Sequence, residues 1–403
     1  MSILSSKKVL LGISAGIAAY KSAFLVRLFV KAGAEVKVIM TPSAKDFVTP
    51  LTLSTLSKNE VFSSFISEEN ENETWNNHVE LALWADFFVI APATANTLSK
   101  MAHGTCDNLL LATYLSAKCP VYYAPAMDLD MYKHESVQVA FKKLNTYGAI
   151  QIAAAHGELA SGLVGEGRMA EPEDIISFIE SDIVSKLPLR NKKVLITAGP
   201  TYEAIDPVRF VGNHSSGKMG YALAEEAANL GAEVYLVSGP THLKLKNSTI
   251  QKIAVTSAEE MYNACHSIYS QVDLAILAAA VADFRPKIKA DQKIKKDQAA
   301  LLIELEPTLD ILASLGEIKK KQFLVGFALE TENEIENAKK KLNKKNLDFI
   351  VLNSLNDAGA GFGSNTNKIT IIDKNEQIQS FELKSKTEVA KDIFNILRPV
   401  LNE

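Results

Sequence analysis

The sequence predicts an α/β protein built from two Rossmann-like domains. Residues 7–40 (KKVLLGISAGIAAYKSAFLVRLFVKAGAEVKVIM) have the pattern of a strand, a glycine turn, a helix and a second strand. The pattern recurs in the second half, where VLITAG (194–199) is followed by a polar loop and then by YALAEEAANLGAEVYLVSG (221–239). A chain of 403 residues is long enough for two or three domains that each bury a core.

The composition is that of a globular enzyme. Hydrophobic residues make up 47% of the chain and charged residues 22%, with a formal net charge of −4, so neither nucleic acid nor a membrane is an expected partner. No apolar run approaches the roughly 20 residues of a membrane span, and the N-terminal run is predicted to be a strand rather than a leader. The three scattered cysteines predict no disulfide framework or zinc site, which favours a reducing cytoplasm.

Polar residues follow the first two predicted strands. Ser14 and Gly16 lie in the turn after the first strand, and Thr41 and Ser43 lie in the loop after the second. Because ligands of doubly wound sheets bind at the carboxyl ends of the strands, these residues are candidates for holding a phosphate. Ordinary loop chemistry is an equal alternative from the pattern alone.

A buried strand is predicted at ADFFVIAP (85–92). His78 belongs to the helix before it, and PATANT (92–97) is predicted to be the loop after it. A lone histidine is more often structural than catalytic. Asp107 precedes another helical pattern, where it is also a candidate helix cap. The acidic run 68–73 is predicted to be a solvated loop without a function.

A helix and a proline mark the boundary between the domains. EPEDIISFIESDIVSKLPLRNKK (171–193) predicts an amphipathic helix that ends at the break Leu187–Pro188. We therefore expect a first domain over residues 1–188 and a second over 189–403.

The second domain is organised around DPVRFVGNHSSGKMG (206–220). Two serines, a glycine and a lysine lie where a helix begins, and the N-terminus of a helix favours an anion. The loop therefore predicts phosphate binding at Ser215, Ser216 and Gly217, with Arg209 as a candidate partner for phosphate or carboxylate. It is neither a P-loop nor a G-x-G-x-x-G motif, so an ordinary polar loop is an equal alternative.

Later segments of this domain also have two interpretations. VDLAILAAAVADFRP (272–286) predicts a strand that ends in small residues, where a base or sugar can approach the backbone. Its Asp283 is otherwise a simple turn residue. Taken alone, KIKK (293–296) is a solvated charge run, and Phe327 at a strand end belongs to the core.

The amino-acid sequences of these segments resemble those of known families. AGPTYEAIDPVRFVGNHSSGKMG resembles the opening of the phosphopantothenoylcysteine synthetases, and ISAGIAAYK, HVELALWAD and AHGTCDNLL resemble the flavin-dependent phosphopantothenoylcysteine decarboxylases. Together they resemble the bifunctional coenzyme A biosynthesis proteins of bacteria over nearly all of the chain. The resemblance implies a flavodoxin-like first domain and a ligase second domain. It implies that 4′-phosphopantothenate is joined to cysteine through an acyl-cytidylate made from CTP with Mg²⁺. FMN-dependent decarboxylation to 4′-phosphopantetheine would follow.

By resemblance, His78 corresponds to the family's catalytic histidine, which acts as a base beside the flavin. The residues implied to contact FMN are Ser14, Gly16, Thr41, Ser43, Thr94, Asn96 and Asp107.

Two positions depart from the family pattern. PAMDLDMY has Asp128 where the family commonly has an asparagine that binds the substrate carboxylate, and GELASGLVGEGRM has Ser161 in place of a proton-donating cysteine. A serine hydroxyl is a far weaker acid than a thiol, whose pKa is about 8.5, and an ionised Asp128 would repel a substrate carboxylate. We expect Asp128 and Ser161 to replace the pair, with a protonated Asp128 as the acid. Other candidate acids are Glu158, His156 and Cys106.

In the second domain, the resemblance makes Asn213 the residue that assists the acyl-cytidylate step and Lys293 the first choice for a triphosphate or transition-state lysine. Asp283 is a candidate Mg²⁺ ligand. Lys341 and Lys345 are four residues apart and are predicted to share a helix face. The residues implied to contact CTP are Ser215, Ser216, Gly217, Ala278, Ala279, Asp283, Lys293, Asp310, Ile311, Phe327, Lys341 and Lys345.

The resemblance also implies a homo-oligomer, with trimeric flavin domains and dimeric ligase domains that are consistent with a dodecamer. Two alternatives remain open at this point. One is a flavoprotein cysteine decarboxylase that stops at the enethiol because the flap cysteine is missing. The other is a non-catalytic regulatory relative.

Overall fold

The chain forms two compact units. Contacts divide it into Met1–Ser185 and Lys186–Glu403. The computed structural model describes residues 2–66, 75–295, 301–330, 332–354 and 363–401. The predicted acidic loop 68–73 therefore lies outside the described residues, as does Lys296 of the KIKK run.

The first unit is a parallel sheet covered by helices, with one separate hairpin. Its strands are β1 (Lys8–Ile13), β2 (Glu35–Met40), β3 (Val61–Phe62), β4 (Phe87–Ala93), β5 (Val121–Pro125), β6 (Ile150–Gln151), β7 (Ala155–Glu158) and β8 (Val164–Arg168). Its helices are α1 (Lys21–Lys31), α2 (Pro50–Ser57), α3 (His78–Trp84), α4 (Ala95–His103), α5 (Leu109–Ser116), α6 (Leu129–Lys133), α7 (Glu135–Thr146) and α8 (Pro172–Ser185).

Six strands of this unit form the sheet, in the order β3-β2-β1-β4-β5-β6, and β7 and β8 form an antiparallel hairpin. Val9 of β1 pairs with Val36 of β2 on one side and with Phe87 of β4 on the other. The strand order therefore reverses beside β1, which is where doubly wound sheets bind their ligands.

Alternate side chains of β1 enter two different cores. Val9 and Leu11 pack in a cluster that includes Phe29 of α1 and Ile175 of α8. Leu10 points to the other face and packs in a second cluster, made with α4, α5 and α7. Both faces of the sheet are therefore covered, as a near-continuous apolar strand requires.

The second unit has a larger sheet. Its strands are β9 (Lys193–Ala198), β10 (Tyr202–Ala204), β11 (Phe210–Gly212), β12 (Glu233–Ser238), β13 (Gln251–Ala254), β14 (Leu274–Leu277), β15 (Phe284–Pro286), β16 (Leu305–Pro307), β17 (Phe323–Glu330), β18 (Phe349–Ser354), β19 (Thr366–Asn367), β20 (Ile369–Asp373), β21 (Ile378–Ser380) and β22 (Lys384–Ser385). Its helices are α9 (Lys218–Asn229), α10 (Ala258–Tyr269), α11 (Ile311–Glu317), α12 (Glu334–Lys344) and α13 (Lys386–Leu401).

Eight of these strands form one sheet, in the order β13-β12-β9-β14-β17-β18-β20-β21. The strands from β13 to β18 are parallel, whereas β20 and β21 are antiparallel and form a hairpin at the edge. β9 lies between β12 and β14, as β1 lies between β2 and β4. The prediction of two Rossmann-like α/β domains is confirmed.

Two local predictions are wrong. The predicted polar loop 206–220 contains β11, because Phe210 stacks on Tyr202 with ring centroids 3.9 Å apart and the two strands form a hairpin. PATANT is not a loop, because β4 runs to Ala93 and Thr94 is already the N-cap of α4. Asn96 therefore lies in the first turn of a helix.

No helix among the described residues has the length and apolar character needed to span a membrane.

Gly220 brings α9 close to the sheet. A Cβ at this position would lie 2.5 Å from the Cβ of Ala198 and 2.8 Å from the carbonyl oxygen of Thr197. Gly220→Ala is therefore expected to lower the free energy of unfolding of the second unit by about 1–3 kcal/mol, although alanine favours a helix by about 1 kcal/mol. Denaturant unfolding measures this change, and a variant as stable as the parent would contradict the close packing.

Candidate functional sites

The polar residues predicted at the strand ends of the first unit do come together. Ser14 and Gly16 follow β1, Thr41 follows β2, and Thr94 follows β4. Because these strands are neighbours and parallel, their carboxyl ends meet at one edge of the sheet.

Ser14 ties two of these strand ends together. Its buried hydroxyl donates to the carbonyl oxygen of Pro92 at 2.8 Å and accepts the N–H of Thr94 at 3.0 Å. Ser14 therefore positions the β4 end, a role that the strand pattern did not predict.

Thr41 and Gly16 leave room and a free polar atom for a phosphate-bearing ligand. The hydroxyl of Thr41 is buried and has no hydrogen-bond partner among the described residues, which is costly unless a ligand supplies one. A Cβ on Gly16 would lie 3.2 Å from the methyl group of Thr94, so only glycine leaves that space open. These observations fit a flavin phosphate at this edge.

The other implied flavin contacts are more exposed. Ser43 and Asn96 are exposed, and the described residues give neither side chain a hydrogen bond. Asp107 forms an ion pair with Lys100 and does not cap a helix, because the N-cap of α5 is Asn108, which accepts the N–H of Leu111. The helix-cap alternative for Asp107 is wrong.

His78 is the first residue of α3 and is held by aromatic rings. Its ring lies at the edges of Phe65 and Trp75, with centroid distances of 6.2 and 6.5 Å. Its buried Nδ1 has no hydrogen-bond partner in the part of the chain that the structure describes. An unpaired buried nitrogen of this kind is available to a bound ligand.

A cavity links the first strand end to the β7–β8 hairpin. The lining residues are Gly16, Ile17, Ala18, Tyr20, Lys21, Ala126, Met127, Asp128, Glu158, Leu159, Ala160, Gly167, Arg168 and Met169. Asp128 lies at the N-cap of α6, where its Oδ1 accepts the N–H of Leu129 at 2.6 Å.

The structure does not place Ser161 beside Asp128. Ser161 is exposed between β7 and β8 and is not among the residues that line the cavity. Glu158 of β7 lines it instead, so the carboxyl group that shares the cavity with Asp128 is that of Glu158. The replacement of the family's asparagine and cysteine by Asp128 and Ser161 stays a prediction, with Asp128 on the cavity wall and Ser161 outside the lining.

Sequence reasoning missed a buried cation in this cavity. Lys21 is 5% exposed, and its Nζ donates to Glu171 at 2.9 Å and to the carbonyl oxygen of Met169 at 3.2 Å. The hydrogen bond from Lys21, reinforced by Arg168, lowers the pKa of the Glu171 carboxyl. In the sequence, Lys21 lies four residues before the apolar residue Leu25. Residues at this spacing share a helix face, so the pattern could have predicted that Lys21 lies on the buried side.

In the second unit, one cavity gathers many of the predicted nucleotide contacts. It is lined by Ser215, Ser216, Gly217, Lys218, Met219, Gly220, Ala278, Ala279, Ala280, Phe327, Ala328, Leu329, Asn353, Gly363, Asn367 and Lys386. Gly217 is the N-cap of α9, and its φ of 78° favours glycine. Lys218, Asn353, Asn367 and Lys386 are lining residues that the sequence analysis did not select.

Asn213 holds the loop after β14. Its Nδ2 donates to the carbonyl oxygens of Ala280 at 3.2 Å and Val281 at 3.0 Å. Asn213 is therefore fixed to the backbone of Ala280 and Val281, which directly follow the cavity residues Ala278 and Ala279.

Arg209 has a different role from the one expected. Its guanidinium donates to the carboxylate of Asp206 and to the carbonyl oxygen of Ile294. Asp206 also accepts the N–H of Ile294 at 3.2 Å. Arg209 therefore anchors the segment that carries Lys293, and is not a free partner for phosphate.

Lys293 and Asp283 are both exposed, and no ion pair to either is found among the described residues. No group of three or more His, Cys, Asp or Glu residues in the described parts of the chain is arranged to hold a metal ion. A Mg²⁺ ligand at Asp283 stays a prediction.

The remaining implied contacts are paired within the protein. Asp310 caps α11 through the N–H of Ala313 and forms an ion pair with Lys345 at 2.8 Å. Lys341 pairs with Glu330 at 2.6 Å. The helix ends at Lys344, so Lys345 lies just beyond it. The N–H of Lys345 still donates to the carbonyl oxygen of Lys341 at 3.0 Å, so the two lysines share the last turn of the helix as predicted, although their ammonium groups pair with different carboxylates.

Family models match both units. The Flavoprotein model matches residues 2–184, and the model of the DNA/pantothenate metabolism flavoprotein C-terminal domain matches residues 189–400. The chain is therefore a flavoprotein domain fused to a pantothenate-metabolism domain.

Relatives that align over nearly the full length of this chain identify its family more narrowly. The coenzyme A biosynthesis bifunctional protein CoaBC of Bacillus subtilis (strain 168) is 47% identical over 393 residues, which cover 97% of this chain and 96% of the relative. The CoaBC protein of Vibrio cholerae serotype O1 is 44% identical over 400 residues, 98% of this chain and 99% of the relative. The chain belongs to the family of coenzyme A biosynthesis bifunctional proteins.

A third relative carries a different name. The cysteine/cysteine sulfinic acid decarboxylase of an unknown prokaryotic organism is 56% identical over 351 residues, 86% of this chain and 97% of the relative. Because this alignment is longer than either compact unit, it extends into both.

Thr41→Val tests the flavin site. The variant loses a hydroxyl that bonds to none of the described residues, so we expect unchanged or higher stability but at least about tenfold weaker FMN binding, as for a lost hydrogen bond to a charged group. Fluorescence titration of FMN measures the affinity.

Ser14→Ala is the matched control for Thr41→Val. It removes hydrogen bonds within the protein and should therefore lower stability. Unchanged FMN affinity in Thr41→Val would contradict the assignment.

Asp206 predicts a pH-dependent contribution to stability. Burial alone would raise the pKa of its carboxyl, but hydrogen bonds from Arg209 and from the N–H groups of Val208, Arg209 and Ile294 outweigh burial and hold the pKa well below its usual range. The stabilisation is therefore complete above the unfolded-state pKa of about 3.9 and is lost as the pH falls from there towards the folded-state value.

Asp206→Asn should accordingly destabilise the second unit at pH 7, and by less at pH 3. Urea unfolding at both values measures the difference between variant and parent. A difference that stays constant or grows at pH 3 would contradict the charged network.

Proposed function

We propose that the chain ligates 4′-phosphopantothenate to cysteine in its second unit and decarboxylates the product in its first. The observation that carries the proposal is full-length membership of the CoaBC family, together with two cavities that contain the expected residue types. The alternatives of a regulatory relative and of a decarboxylase that stops at the enethiol are not favoured by this family match.

In the second unit, the carboxylate of 4′-phosphopantothenate would attack the α-phosphate of CTP, forming an acyl-cytidylate and releasing pyrophosphate. The amine of cysteine would then attack the acyl carbon and release CMP. Asn213 holds the loop after Ala278 and Ala279 through both N–H bonds of its amide, so its proposed part in the acyl-cytidylate step is to position this loop, which lines the cavity. Lys293, on the segment anchored by Arg209, and a Mg²⁺ ion would stabilise charge on the phosphates.

In the first unit, Thr41, Gly16 and the end of β4 would hold FMN. The flavin would supply the chemistry that oxidises the substrate thiol and later returns the two electrons. His78 offers an unpaired ring nitrogen to act as the base. Lys21 and Arg168 line the cavity, and both form an ion pair with Glu171, so a substrate carboxylate bound there would share these cations with Glu171. Asp128 and Glu158 line the cavity with acidic side chains and are the candidate proton donors.

We also propose that the protein is cytoplasmic and that it forms a homo-oligomer. Its support in the structure is an exposed apolar row on the first unit, where Ile17, Tyr20 and Phe24 are 65%, 52% and 61% exposed. Rows of this kind commonly mark association surfaces.

A second candidate function is favoured by the 56% identical relative. The first unit would then decarboxylate free cysteine or cysteine sulfinic acid. Asp128 and Ser161 depart from the family pattern at the positions that the resemblance gives to binding of the substrate carboxylate and to proton donation.

Mass spectrometry of the products tests the proposal. Protein supplied with 4′-phosphopantothenate, cysteine, CTP and Mg²⁺ should form 4′-phosphopantetheine. His78→Asn should accumulate phosphopantothenoylcysteine, because it lacks the base but retains the ligase unit. A product two hydrogens lighter would support the decarboxylase that stops at the enethiol, and no ligated product from the parent would overturn the ligase assignment.

A further inference from the structure

The cavity of the second unit contains two lysines from distant parts of the chain. Lys218 begins α9, and its Nζ donates to the carbonyl oxygen of Gly363 at 2.9 Å and to the Oδ1 of Asn365 at 2.8 Å. Lys386 begins α13, and its Nζ donates to the carbonyl oxygen of Ser364 at 2.8 Å. Because the three acceptors belong to consecutive residues, the two ammonium groups are close neighbours.

The described residues around this pair do not balance its charge. No carboxylate is among the described residues that line the cavity, and neither lysine forms an ion pair with a described residue. The groove on the other side of the pair does contain Glu225 and Glu226. However, Glu225 accepts the backbone N–H groups of residues 246 and 247, and burial raises the pKa of the Glu226 carboxyl.

The consequence is visible at Lys386. Burial, together with the nearby charge of Lys218, lowers the pKa of the Lys386 ammonium. Both effects oppose its charged form, so the two ammonium groups disfavour each other in this position.

The position of each lysine adds to the cost. Both occupy the first residue of a helix, of 12 residues for α9 and 16 for α13. Cations stabilise the C-terminal end of a helix and are unfavourable at the N-terminal end. Two adjacent cations, each at the unfavourable helix end, require an anion for compensation.

We propose that Lys218 and Lys386 form a phosphate-binding subsite of the ligase unit, a proposal that rests on the ligase function proposed above. The subsite adjoins Gly217, whose position at the start of α9 adds favourable helix polarity for an anion. Ala278, Ala279 and Phe327 line the same cavity, so a nucleotide or acyl substrate held there extends to the lysines.

Two phosphates of the ligase reaction have the required chemistry. One is the β,γ-diphosphate of CTP. When a carboxylate oxygen bonds to the α-phosphorus and the bridging P–O bond breaks, the electron pair leaves with pyrophosphate, and the two ammonium groups stabilise that charge. The other is the phosphate of 4′-phosphopantothenate, which stays intact and would be held as an anchor.

Isothermal titration of the full chain with inorganic pyrophosphate tests the subsite. Lys218→Met and Lys386→Met should each weaken binding at least about tenfold, as expected for a lost charged hydrogen bond. Lys374→Met is the matched control, because Lys374 is an exposed lysine on the β20–β21 hairpin, away from the cavity lining. It should bind pyrophosphate as the parent does.

Two further titrations identify the source of the phosphate. If the variants lose affinity for CTP but not for 4′-phosphopantothenate, the subsite holds the nucleotide, and the reverse result assigns it to the acyl substrate. In phosphate-free buffer, both variants should unfold cooperatively near the temperature of the parent, because the relieved repulsion between the two ammonium groups offsets the lost hydrogen bonds to residues 363–365. This result separates lost binding from misfolding.

The subsite is overturned if the double variant Lys218→Met/Lys386→Met binds pyrophosphate, CTP and 4′-phosphopantothenate as tightly as the parent, or if the parent binds none of them. If the parent binds these ligands but forms no phosphopantothenoylcysteine, the ligase assignment fails while the subsite stands.

Discussion

Each unit depends on a central parallel strand. This strand pairs with a parallel strand on each side, and a separate crossover connection leads to each of these neighbours. In the first unit Val9 of β1 pairs with Val36 and Phe87, and in the second Val194 of β9 pairs with Val234 and Leu274. This pairing brings three strand ends to one edge. The candidate flavin residues and the candidate nucleotide residues are neighbours for the same reason, although they come from segments far apart in sequence.

Much of this arrangement could be predicted from local pattern. The strands β1, β2, β4 and β9 and the closing helix α13 are strongly periodic or apolar runs, and the glycine at 33, with a φ of 88°, ends α1 as expected. The hairpin of β10 and β11 was missed because its strands are only three residues long and are held by one aromatic contact. A strand of that length has too few residues for a period to be recognised.

The ion-pair partners of charged side chains could not be predicted from the sequence. Arg209, Lys341 and Lys345 were assigned to phosphates, yet each contacts a carboxylate within the protein. Conversely, Lys218 and Lys386 lacked a motif that linked them, and only the packing of α9 with α13 brings them together. Such contacts depend on tertiary structure and leave no local period in the chain.

The central claim is that decarboxylation follows ligation. It is tested most directly by supplying cysteine labelled with ¹³C in its carboxyl group and measuring the release of labelled carbon dioxide. The account predicts release only when 4′-phosphopantothenate and CTP are both present, because the substrate of the first unit is the product of the second. Equal release from cysteine alone would contradict it and would identify the first unit as a decarboxylase of the free amino acid.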